Sequence, residues 1–327
     1  MEERLLGKTG IKVSRIGLGC ATFGREIDEA MAFQIMDYAL EKGITLFDTA
    51  ESYGGGQARE CRRRVFQLEE IREVSGEFHS SEKIIGRWLK ARGCRNQIVL
   101  ETKVQTNFTR AHIAEALDES LQRLQTDTID SYLFHSFDSN TPLNEGLEAM
   151  SLAIRAGKIR AAGCSNFTLD QLLLALNLGE RHGLPRMEAI QSHYNLVARD
   201  IEKDILPFCQ EKEIAVVGYS PLGGGFLAGK YTPDQRKIPN GCRFDVIPAF
   251  REIYFNERNF RVVAALRGLS DKTGVPMVRL AMGWTLRNRD LTSALVGART
   301  TAHLENALIA EGMEFPDEWT NEMNSWN

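Results

Sequence analysis

Short apolar runs alternate along the chain with longer segments in which apolar residues recur every three or four positions. The apolar runs predict strands at Arg15–Gly19, Ile44–Asp48, Ile98–Lys103, Ile129–His135, Ile159–Cys164, Ala189–His193, Ile214–Tyr219 and Leu291–Gly297. The periodic segments predict helices at Asp28–Lys42, Ser81–Ala91, Arg110–Leu124, Leu143–Ala156, Leu169–Arg181, Glu202–Glu211, Asn259–Thr273 and Thr301–Ala310. The opening LLGKTGIKVSRIGLG has two short alternating runs around a turn, which indicates a β-hairpin.

Eight strands that alternate with helices, without a Pro/Gly/Ser-rich linker, predict one parallel α/β domain over residues 1–327. An open, doubly wound sheet is the alternative. Eight units in this length favour a closed (β/α)8 barrel of the TIM type. In such a barrel the functional residues gather at the carboxyl ends of the strands, so those positions are the ones to inspect.

Polar residues stand where the predicted strands stop. They are Asp48, with Tyr53 five residues later, and Lys103, His135, Ser165, Asn166, Gln191 and Tyr219. Each by itself has an ordinary structural explanation, such as a turn residue or a packed ring with its hydroxyl satisfied. Their shared position at one end of successive strands predicts a common site.

Four of these side chains suggest proton transfer to a carbonyl oxygen. Tyrosine is a poor acid near neutral pH, but a neighbouring ammonium such as Lys103 would stabilise the phenolate. Asp48 can pair with Lys103, and His135 can donate a hydrogen bond to the substrate oxygen and orient it towards Tyr53. A carbonyl reduction also needs a hydride, which no side chain provides, so a nicotinamide cofactor is implied.

A cofactor of this kind needs hydrogen-bonding, stacking and phosphate-binding groups, and the chain offers all three. Ser165, Asn166 and Gln191 can contact a carboxamide, and Tyr219 can stack on the ring. The turn Ser220-Pro221-Leu222-Gly223-Gly224-Gly225 can bring backbone N–H groups to a pyrophosphate, with positive charge from Lys230 and Arg243. The last strand ends in LVGARTTAHLEN, where Arg299 and a helix N-terminus can receive another phosphate.

Composition narrows the class of protein. The net charge of −4 argues against nucleic acid or an anionic membrane as partner, and no apolar run reaches the length of a membrane span. The N-terminal residues are charged rather than signal-like, and the six cysteines form no CxxC pair, so neither a metal site nor a disulfide framework is predicted. We therefore expect a cytoplasmic protein.

The motifs together resemble the aldo-keto reductase family over essentially the whole chain, and are closest to its bacterial and potassium-channel β-subunit-like branch. They are FDTAESYG, ETK, the His135 strand end, GCSNF, QSHYNL, YSPLGGGFLAGKY, PNGCRF and GAR followed four residues later by Leu. The resemblance implies a (β/α)8 barrel, reversible carbonyl reduction and NADP(H) across the barrel mouth. It assigns a catalytic tetrad of Asp48, Tyr53, Lys103 and His135. It assigns cofactor contacts to Ser165, Asn166, Gln191, Tyr219, Ser220, Pro221, Leu222, Gly223, Gly225, Lys230, Arg243, Gly297, Arg299, His303 and Asn306.

Two features depart from the family pattern. The adenine-site helix often carries Gln and, four residues later, Asn, but this chain has His303 and Ala307, with Asn306 one position early. The preference for NADP(H) or NAD(H) therefore stays open, although Arg299 favours the 2′-phosphate of NADP. The second departure is an insertion at about 57–80.

The insertion is rich in Arg and Glu. Cys61, Val65, Leu68 and Ile71 recur at helical spacing and predict an extra amphipathic helix of about four turns, with its apolar stripe packed against the protein. Because the insertion leaves the chain just after Tyr53, we expect it to form a wall or lid of the substrate pocket, or an oligomer contact. Its deletion should then change substrate KM more than cofactor affinity.

These observations predict an NADP(H)-dependent oxidoreductase acting on a small-molecule aldehyde, ketone or alcohol, with a sugar-like substrate as one candidate. Two alternatives stay open. One is an NAD-linked alcohol or sugar dehydrogenase, and the other is a cofactor-sensing regulatory subunit. A homo-oligomer is compatible with the sequence.

Overall fold

Strands and helices alternate along the chain as the sequence predicts, and the computed structural model describes them over residues 1–67, 71–234 and 238–326. The strands are β1 (Glu3–Leu5), β2 (Lys12–Ser14), β3 (Ile16–Gly19), β4 (Leu46–Asp48), β5 (Val99–Val104), β6 (Ile129–Phe134), β7 (Ile159–Ser165), β8 (Met187–His193), β9 (Ala215–Tyr219) and β10 (Ser293–Gly297). The helices are α1 (Glu29–Glu41), α2 (Gly55–Phe66), α3 (Ser80–Arg92), α4 (Arg110–Leu124), α5 (Leu143–Arg155), α6 (Leu169–His182), α7 (Ile205–Lys212), α8 (Arg243–Val246), α9 (Phe250–Tyr254), α10 (Glu257–Thr273), α11 (Met277–Arg287), α12 (Thr301–Gly312) and α13 (Asp317–Asn324). Single 3-10 turns lie at Arg95–Gln97 and Asp200–Glu202, and a kinked 3-10 segment lies at Gly223–Ala228.

Strands β3 to β10 close into a parallel barrel in the order β10-β3-β4-β5-β6-β7-β8-β9, and β1 and β2 form a separate antiparallel hairpin. The predicted (β/α)8 barrel and hairpin are confirmed. Parallel closure places all eight carboxyl ends on one face of the barrel, which we call the active face. Asp48, the last residue of β4, is in register with Glu101 of β5, so the two side chains belong to one layer near this face.

The barrel has two apolar regions. One lies between the strands and the surrounding helices, where for example Phe47 stacks on Trp88 of α3 with ring centroids 5.4 Å apart. The other fills the amino-terminal end of the barrel interior, where small strand residues such as Ala161 and Ala215 leave room for Leu6 and Ile11 of the hairpin. The hairpin therefore closes the end of the barrel opposite the active face.

Local sequence signals account for many helix boundaries. Thr168 and Gln171 form a reciprocal capping box at the start of α6, and Asp28 accepts a hydrogen bond from the backbone N–H of Met31 at the start of α1. Gly93 ends α3 in the left-handed conformation, at a φ of 61°. These caps satisfy backbone groups that a helix leaves unpaired at its ends.

Helices α11 and α13 and one helix boundary differ from the sequence-based expectation. Helix α11 was not predicted because eight of its eleven residues are buried, so its apolar residues show no stripe. Helix α13 was not predicted either. The helix predicted at Glu202–Glu211 begins only at Ile205, after a 3-10 turn at Asp200–Glu202.

Within residues 1–67, 71–234 and 238–326, no helix has the length and apolar character required to cross a membrane.

Candidate active site

A buried ion pair lies at the centre of the active face. The ammonium of Lys103, which is fully buried, pairs with the carboxylate of Asp48 and donates to the carbonyl oxygen of Thr49 at 2.7 Å. Burial alone would lower the pKa of Lys103, but the charges of Asp48, Tyr53 and Glu101 outweigh it and hold that pKa above its usual value. Lys103 is therefore a fixed positive charge at neutral pH.

Tyr53 faces this charge. The Nζ atom of Lys103 lies 4.9 Å from the centroid of the Tyr53 ring. Burial raises the pKa of Tyr53, while the neighbouring Lys103 charge opposes that rise. The phenol is thus protonated at neutral pH, and the nearest cation is placed to stabilise its phenolate.

His135 follows β6 and completes the group. Its ring meets the Tyr53 ring edge to face, with centroids 5.5 Å apart and planes at 82°. Burial and the Lys103 charge lower the pKa of His135 to about 3, so the imidazole is neutral. The side-chain amide nitrogen of Gln105 lies 2.9 Å from Nδ1. When this amide N–H donates to Nδ1, the single ring proton resides on Nε2.

A second buried carboxyl lies beneath these residues. Glu101 is fully buried and accepts hydrogen bonds from the Ser131 hydroxyl at 2.8 Å and from the Gln191 amide at 2.7 Å. Burial, followed by the charge of Asp48, raises the pKa of Glu101 to about 7. The same Gln191 nitrogen also donates to Asp48 at 2.8 Å. The Gln191 amide nitrogen is thus directed into the barrel, and its Oε1 is the atom left to contact a cofactor.

Asn166 and Tyr219 form one side of the active face. Asn166 adopts a left-handed backbone conformation with a φ of 59°, and its amide nitrogen donates to the carbonyl oxygen of His135 at 2.9 Å. Its side-chain oxygen accepts from the Tyr219 hydroxyl at 2.8 Å, and its nitrogen also lies 3.1 Å from the buried Ser165 hydroxyl. His193 stacks on Tyr219 with a centroid separation of 5.2 Å. Tyr219 therefore has a fixed ring plane, with one face covered by His193.

The turn after Tyr219 is tightly wound. Ser220, Gly223, Gly224 and Gly225 all have positive φ, at 56°, 57°, 64° and 91°. A Cβ at Gly223 would lie 2.8 Å from the Tyr254 ring, so a larger residue does not fit there. Pro221 is buried and Leu222 is half-buried. The conformation depends on glycine, as expected for a loop in which the backbone approaches a ligand.

Positive side chains surround this turn. A Cβ at Gly225 would lie 3.8 Å from the Lys230 ammonium. Burial and then the Arg25 charge lower the pKa of Arg243 to about 10, and burial followed by the Arg299 charge lowers the pKa of Lys230. These mutually repelling cations are the expected environment for a polyanion such as a pyrophosphate.

The start of α12 places the remaining predicted contacts near this cluster. Arg299 donates to the Gly241 carbonyl oxygen at 2.8 Å, and its backbone N–H donates to the ring of His303 at 3.0 Å. Burial, Arg299 and Lys230 lower the pKa of His303. The Asn306 side chain accepts a hydrogen bond from Arg279 at 2.9 Å, and its amide nitrogen bonds the backbone of its own helix. Gly297 ends β10, beside Gly19 of β3.

The insertion forms a helix, but not the amphipathic packing predicted for it. Helix α2 begins at Gly55, where a Cβ would collide with the carbonyl oxygens of Ser75 and Gly24. Val65 and Ile71 are exposed, at 58% and 71%, and Cys61 is also exposed. The predicted position Leu68 lies outside the described residues. The expected apolar stripe is therefore wrong as a packing surface in this chain.

Charged residues take its place. Arg62, which is 1% exposed, pairs with the buried Glu73 and donates to the Val246 carbonyl oxygen at 3.1 Å. Arg72 pairs with Asp245 and donates to its carbonyl oxygen at 3.2 Å. Val246 and Asp245 belong to α8, the helix that begins with Arg243. The insertion consequently joins the opening beside Tyr53 to the segment that carries a predicted phosphate contact.

The active face brings the four predicted catalytic side chains together, and it also contains residues that the sequence-based reasoning missed. Gln105 and Glu101 were within reach of that reasoning, because both flank Lys103 near the end of β5. Two others, Arg25 and Glu26, carry no recognisable strand-end signal. In the described part of the chain, no group of three or more His, Cys, Asp or Glu side chains is arranged to hold a metal ion.

Comparisons with known proteins agree with this architecture. Residues 15–327 match the sequence profile of the aldo/keto reductase family. The chain is 32% identical to the uncharacterized oxidoreductase YrpG of Bacillus subtilis, over 95% of this chain and 91% of the relative. It is 30% identical to protein tas of Escherichia coli, over 97% and 95% of the two chains. It is 29% identical to a probable voltage-gated potassium channel subunit beta of Arabidopsis thaliana, over 95% and 91%. The chain belongs to the aldo/keto reductase family.

Proposed function

We propose that the protein is an NADP(H)-dependent oxidoreductase that reversibly reduces an aldehyde or ketone to the alcohol, with Tyr53 as the proton donor. The observation that carries this proposal is the ammonium of Lys103, which is fully buried, paired with Asp48 and 4.9 Å from the centroid of the Tyr53 ring. Burying a lysine is costly unless it is paired. The position of Lys103 beside the Tyr53 phenol explains why a buried ammonium is retained, because it can stabilise the phenolate.

Each member of the tetrad has a separate task. Tyr53 keeps its proton in the resting protein and releases it to the carbonyl oxygen as negative charge develops there, because Lys103 stabilises the phenolate left behind. Asp48 holds Lys103 in position. The neutral His135 donates from Nε2 to the same carbonyl oxygen, since its Nδ1 is engaged by Gln105.

The remaining residues fit a nicotinamide dinucleotide. Tyr219 would stack on the nicotinamide with the face opposite His193, and Ser165, Asn166 and the Gln191 Oε1 would meet its carboxamide. The Ser220–Gly225 turn with Lys230 and Arg243 would hold the pyrophosphate, and Gly297, Arg299, His303 and Asn306 border the predicted adenosine end. When bound, this cofactor supplies the hydride for reduction or accepts it for oxidation. The positive charge of Arg299 near Lys230 supports NADP(H) over NAD(H).

The experiment is a turnover assay with NADPH and a panel of aromatic aldehydes, sugar aldehydes and ketones, followed by nicotinamide absorbance. Tyr53→Phe should lower kcat by about 10²- to 10⁴-fold, the range for loss of a general acid, and should leave NADPH affinity unchanged. Tyr38→Phe, on the outer helix α1, is the matched control and should behave as wild type. Equal turnover by wild type and Tyr53→Phe would show that Tyr53 is not the proton donor.

Two alternative functions give different results when the assay is extended to NADH and to the alcohols that match the panel. An NAD-linked dehydrogenase would bind NADH more tightly than NADPH and would oxidise alcohols faster than it reduces carbonyls. A cofactor-sensing regulatory subunit would bind NADPH without turnover on any member of the panel. The second alternative has support from the name of the Arabidopsis relative, a probable potassium channel subunit.

We also infer that residues 1–327 act as one barrel domain, with the insertion as part of its active face. The six cysteines are free thiols, which supports a reducing compartment such as the cytoplasm.

A further inference from the structure

The loop between β3 and α1 places a buried arginine at the rim of the active face. Arg25 is 7% exposed, and its Nε donates to the Glu26 carboxylate at 2.7 Å. Its Nη2 is buried and has no hydrogen-bond partner among the described residues. A buried guanidinium N–H without an acceptor costs free energy, because the water that it loses is not replaced. The fold retains Arg25 in spite of that cost.

The local charge balance points in the same direction. The Glu26 carboxylate is itself nearly buried, and within the described residues it is the carboxylate that pairs with both Arg25 and Arg243, the latter at 3.4 Å. Two guanidinium groups therefore share one carboxylate. The surplus positive charge is partly buried, where an unpaired charge is expensive. An anion bound here would remove that imbalance.

The position of Arg25 places this surplus at the substrate opening. The loop is held against the insertion by the backbone N–H of Val74, which donates to the Arg25 carbonyl oxygen at 2.9 Å. The Ser80 hydroxyl donates to the Phe23 carbonyl oxygen at 3.0 Å and ties the same loop to the start of α3. Burial raises the pKa of Tyr53 and lowers that of Arg243, and the charge of Arg25 opposes the first shift and adds to the second. Arg25 thus lies within electrostatic range of the proposed proton donor and shares Glu26 with the proposed phosphate contact Arg243.

We propose that Arg25 is a binding residue for an anionic oxygen, a carboxylate or phosphoryl oxygen, of a molecule bound at the active face. Its Nη2 donates to that oxygen, while Glu26 holds the guanidinium by Nε. Two sources present this chemistry: a carboxylate on the carbonyl substrate, and the diphosphate of the cofactor. The choice between these sources rests on the proposed function, but anion binding by Arg25 does not.

Arg25→Gln removes the charge and keeps a polar, hydrogen-bonding side chain that is too short to reach the position of Nη2. The matched control is Arg261→Gln, because Arg261 is also paired with a glutamate but is two-thirds exposed on α10. Circular dichroism and urea unfolding verify the fold of each variant. If Arg25 serves a ligand rather than the fold, Arg25→Gln without ligand should be as stable as wild type or more stable, since it removes an unbalanced charge.

The first arm tests the substrate. The probes are 4-carboxybenzaldehyde and its methyl ester, methyl 4-formylbenzoate, which has the same ring without the charge. If Arg25 binds a substrate carboxylate, Arg25→Gln should raise KM for the acid by about 10- to 100-fold, the range for a hydrogen bond to a charged group, and leave KM for the ester unchanged.

The second arm tests the cofactor. If Arg25 binds the diphosphate, Arg25→Gln should lower the affinity for NADPH and for inorganic pyrophosphate by a similar factor. It should then change KM for the two aldehydes equally. Calorimetric titration of the protein with pyrophosphate and with 4-carboxybenzaldehyde needs no turnover. The titration therefore tests anion binding by Arg25 even if the protein does not reduce any of the aldehydes.

Unchanged affinity for both anions in Arg25→Gln, as in Arg261→Gln, would overturn the inference. If Arg25→Gln does not fold, Arg25→Lys keeps the charge but lacks the second donor nitrogen of the fork. Arg25→Lys should still bind the relevant anion more weakly than wild type does. Wild-type affinity for both anions in Arg25→Lys would equally reject the proposal.

Discussion

Replacing Gln105 with glutamate should move the ring proton of His135 from Nε2 to Nδ1. The Gln105 amide nitrogen lies 2.9 Å from Nδ1 and has hydrogens to donate. A carboxylate in its place can only accept, so Nδ1 must become the donor. The nitrogen that faces the substrate oxygen would then present a lone pair instead of an N–H.

The size of the effect follows from two terms. Loss of one donor aimed at the developing oxyanion costs about 10²- to 10³-fold in kcat. The new carboxylate also attracts a proton to the ring. At about 4 Å and an effective dielectric constant of about 20, the attraction is about 4 kcal/mol, or about 3 pKa units before the desolvation of the carboxylate is subtracted. The pKa of His135, about 3 in the wild type, should therefore rise to about 5 to 6.

This rise has a distinct signature in pH dependence. In the wild type the neutral His135 contributes stability above its unfolded pKa of 6.5, and that contribution is lost as pH falls from 6.5 towards 3. In Gln105→Glu the folded pKa of His135 is closer to its unfolded pKa of 6.5, so the pH range over which stability is lost is narrower. Acidification should therefore destabilise the variant less than wild type. Below about pH 5 the variant ring carries protons on both nitrogens, and kcat should partly recover as Nε2 becomes a donor again.

The assay combines kcat against pH with nitrogen NMR of the side chains of the six histidines, of which His135 is assigned through its own substitution. Gln105→Leu is the control, because it removes the donor without adding charge and should show no recovery in acid. A wild-type spectrum with the His135 proton on Nδ1, or wild-type turnover by Gln105→Glu at neutral pH, would refute the reasoning.

Three further predictions concern buried and partly buried charges. Lys103→Met should lower the free energy of unfolding by about 3 to 5 kcal/mol in urea titrations, since it leaves Asp48 buried without its cation. Arg72→Ala and Asp245→Ala should each speed NADPH dissociation in stopped-flow experiments, with a coupling of about 0.5 to 3 kcal/mol in the double mutant, because the two side chains pair across the insertion and α8. Glu101→Gln should gain stability over wild type as pH rises from 4.5 to about 7, because burial raises the folded pKa of Glu101 to about 7 and wild-type stability falls through that window.

Each of these predictions has its own control or opposing result. Lys203→Met removes a side chain that is 79% exposed and should change stability by less than about 0.5 kcal/mol. Strictly additive effects of Arg72→Ala and Asp245→Ala would mean that the pair does not hold the cofactor segment. Parallel stability-against-pH curves for wild type and Glu101→Gln would contradict a raised pKa for Glu101.

The Arg72 prediction also changes what the insertion is expected to do. From sequence alone, deletion of residues 57–80 should affect substrate KM more than cofactor affinity. The contacts of Arg62 and Arg72 with α8 lead us to expect an effect on cofactor release as well. We therefore propose that the insertion contributes to the cofactor-binding segment that carries Arg243 as well as to the substrate opening.

The architecture and the position of the candidate site follow from local patterns in the amino-acid sequence. Strand and helix periods are local properties, and all eight predicted strands occur within a few residues of their predicted bounds. Closure of parallel strands then forces their carboxyl ends onto one face, which is why Asp48, Lys103 and His135 are expected to lie together.

The pairing of side chains that are distant in the chain depends on the fold. The partners Arg72 and Asp245 are 173 residues apart, and the hydrogen bond from Arg62 to Val246 spans 184. A helical period shows which face of α2 is apolar, but it does not show that Arg62 is buried, where its two terminal nitrogens donate to Glu73 and to a distant carbonyl oxygen. Burial of a charge depends on partners that the fold brings together, and no local pattern encodes those partners.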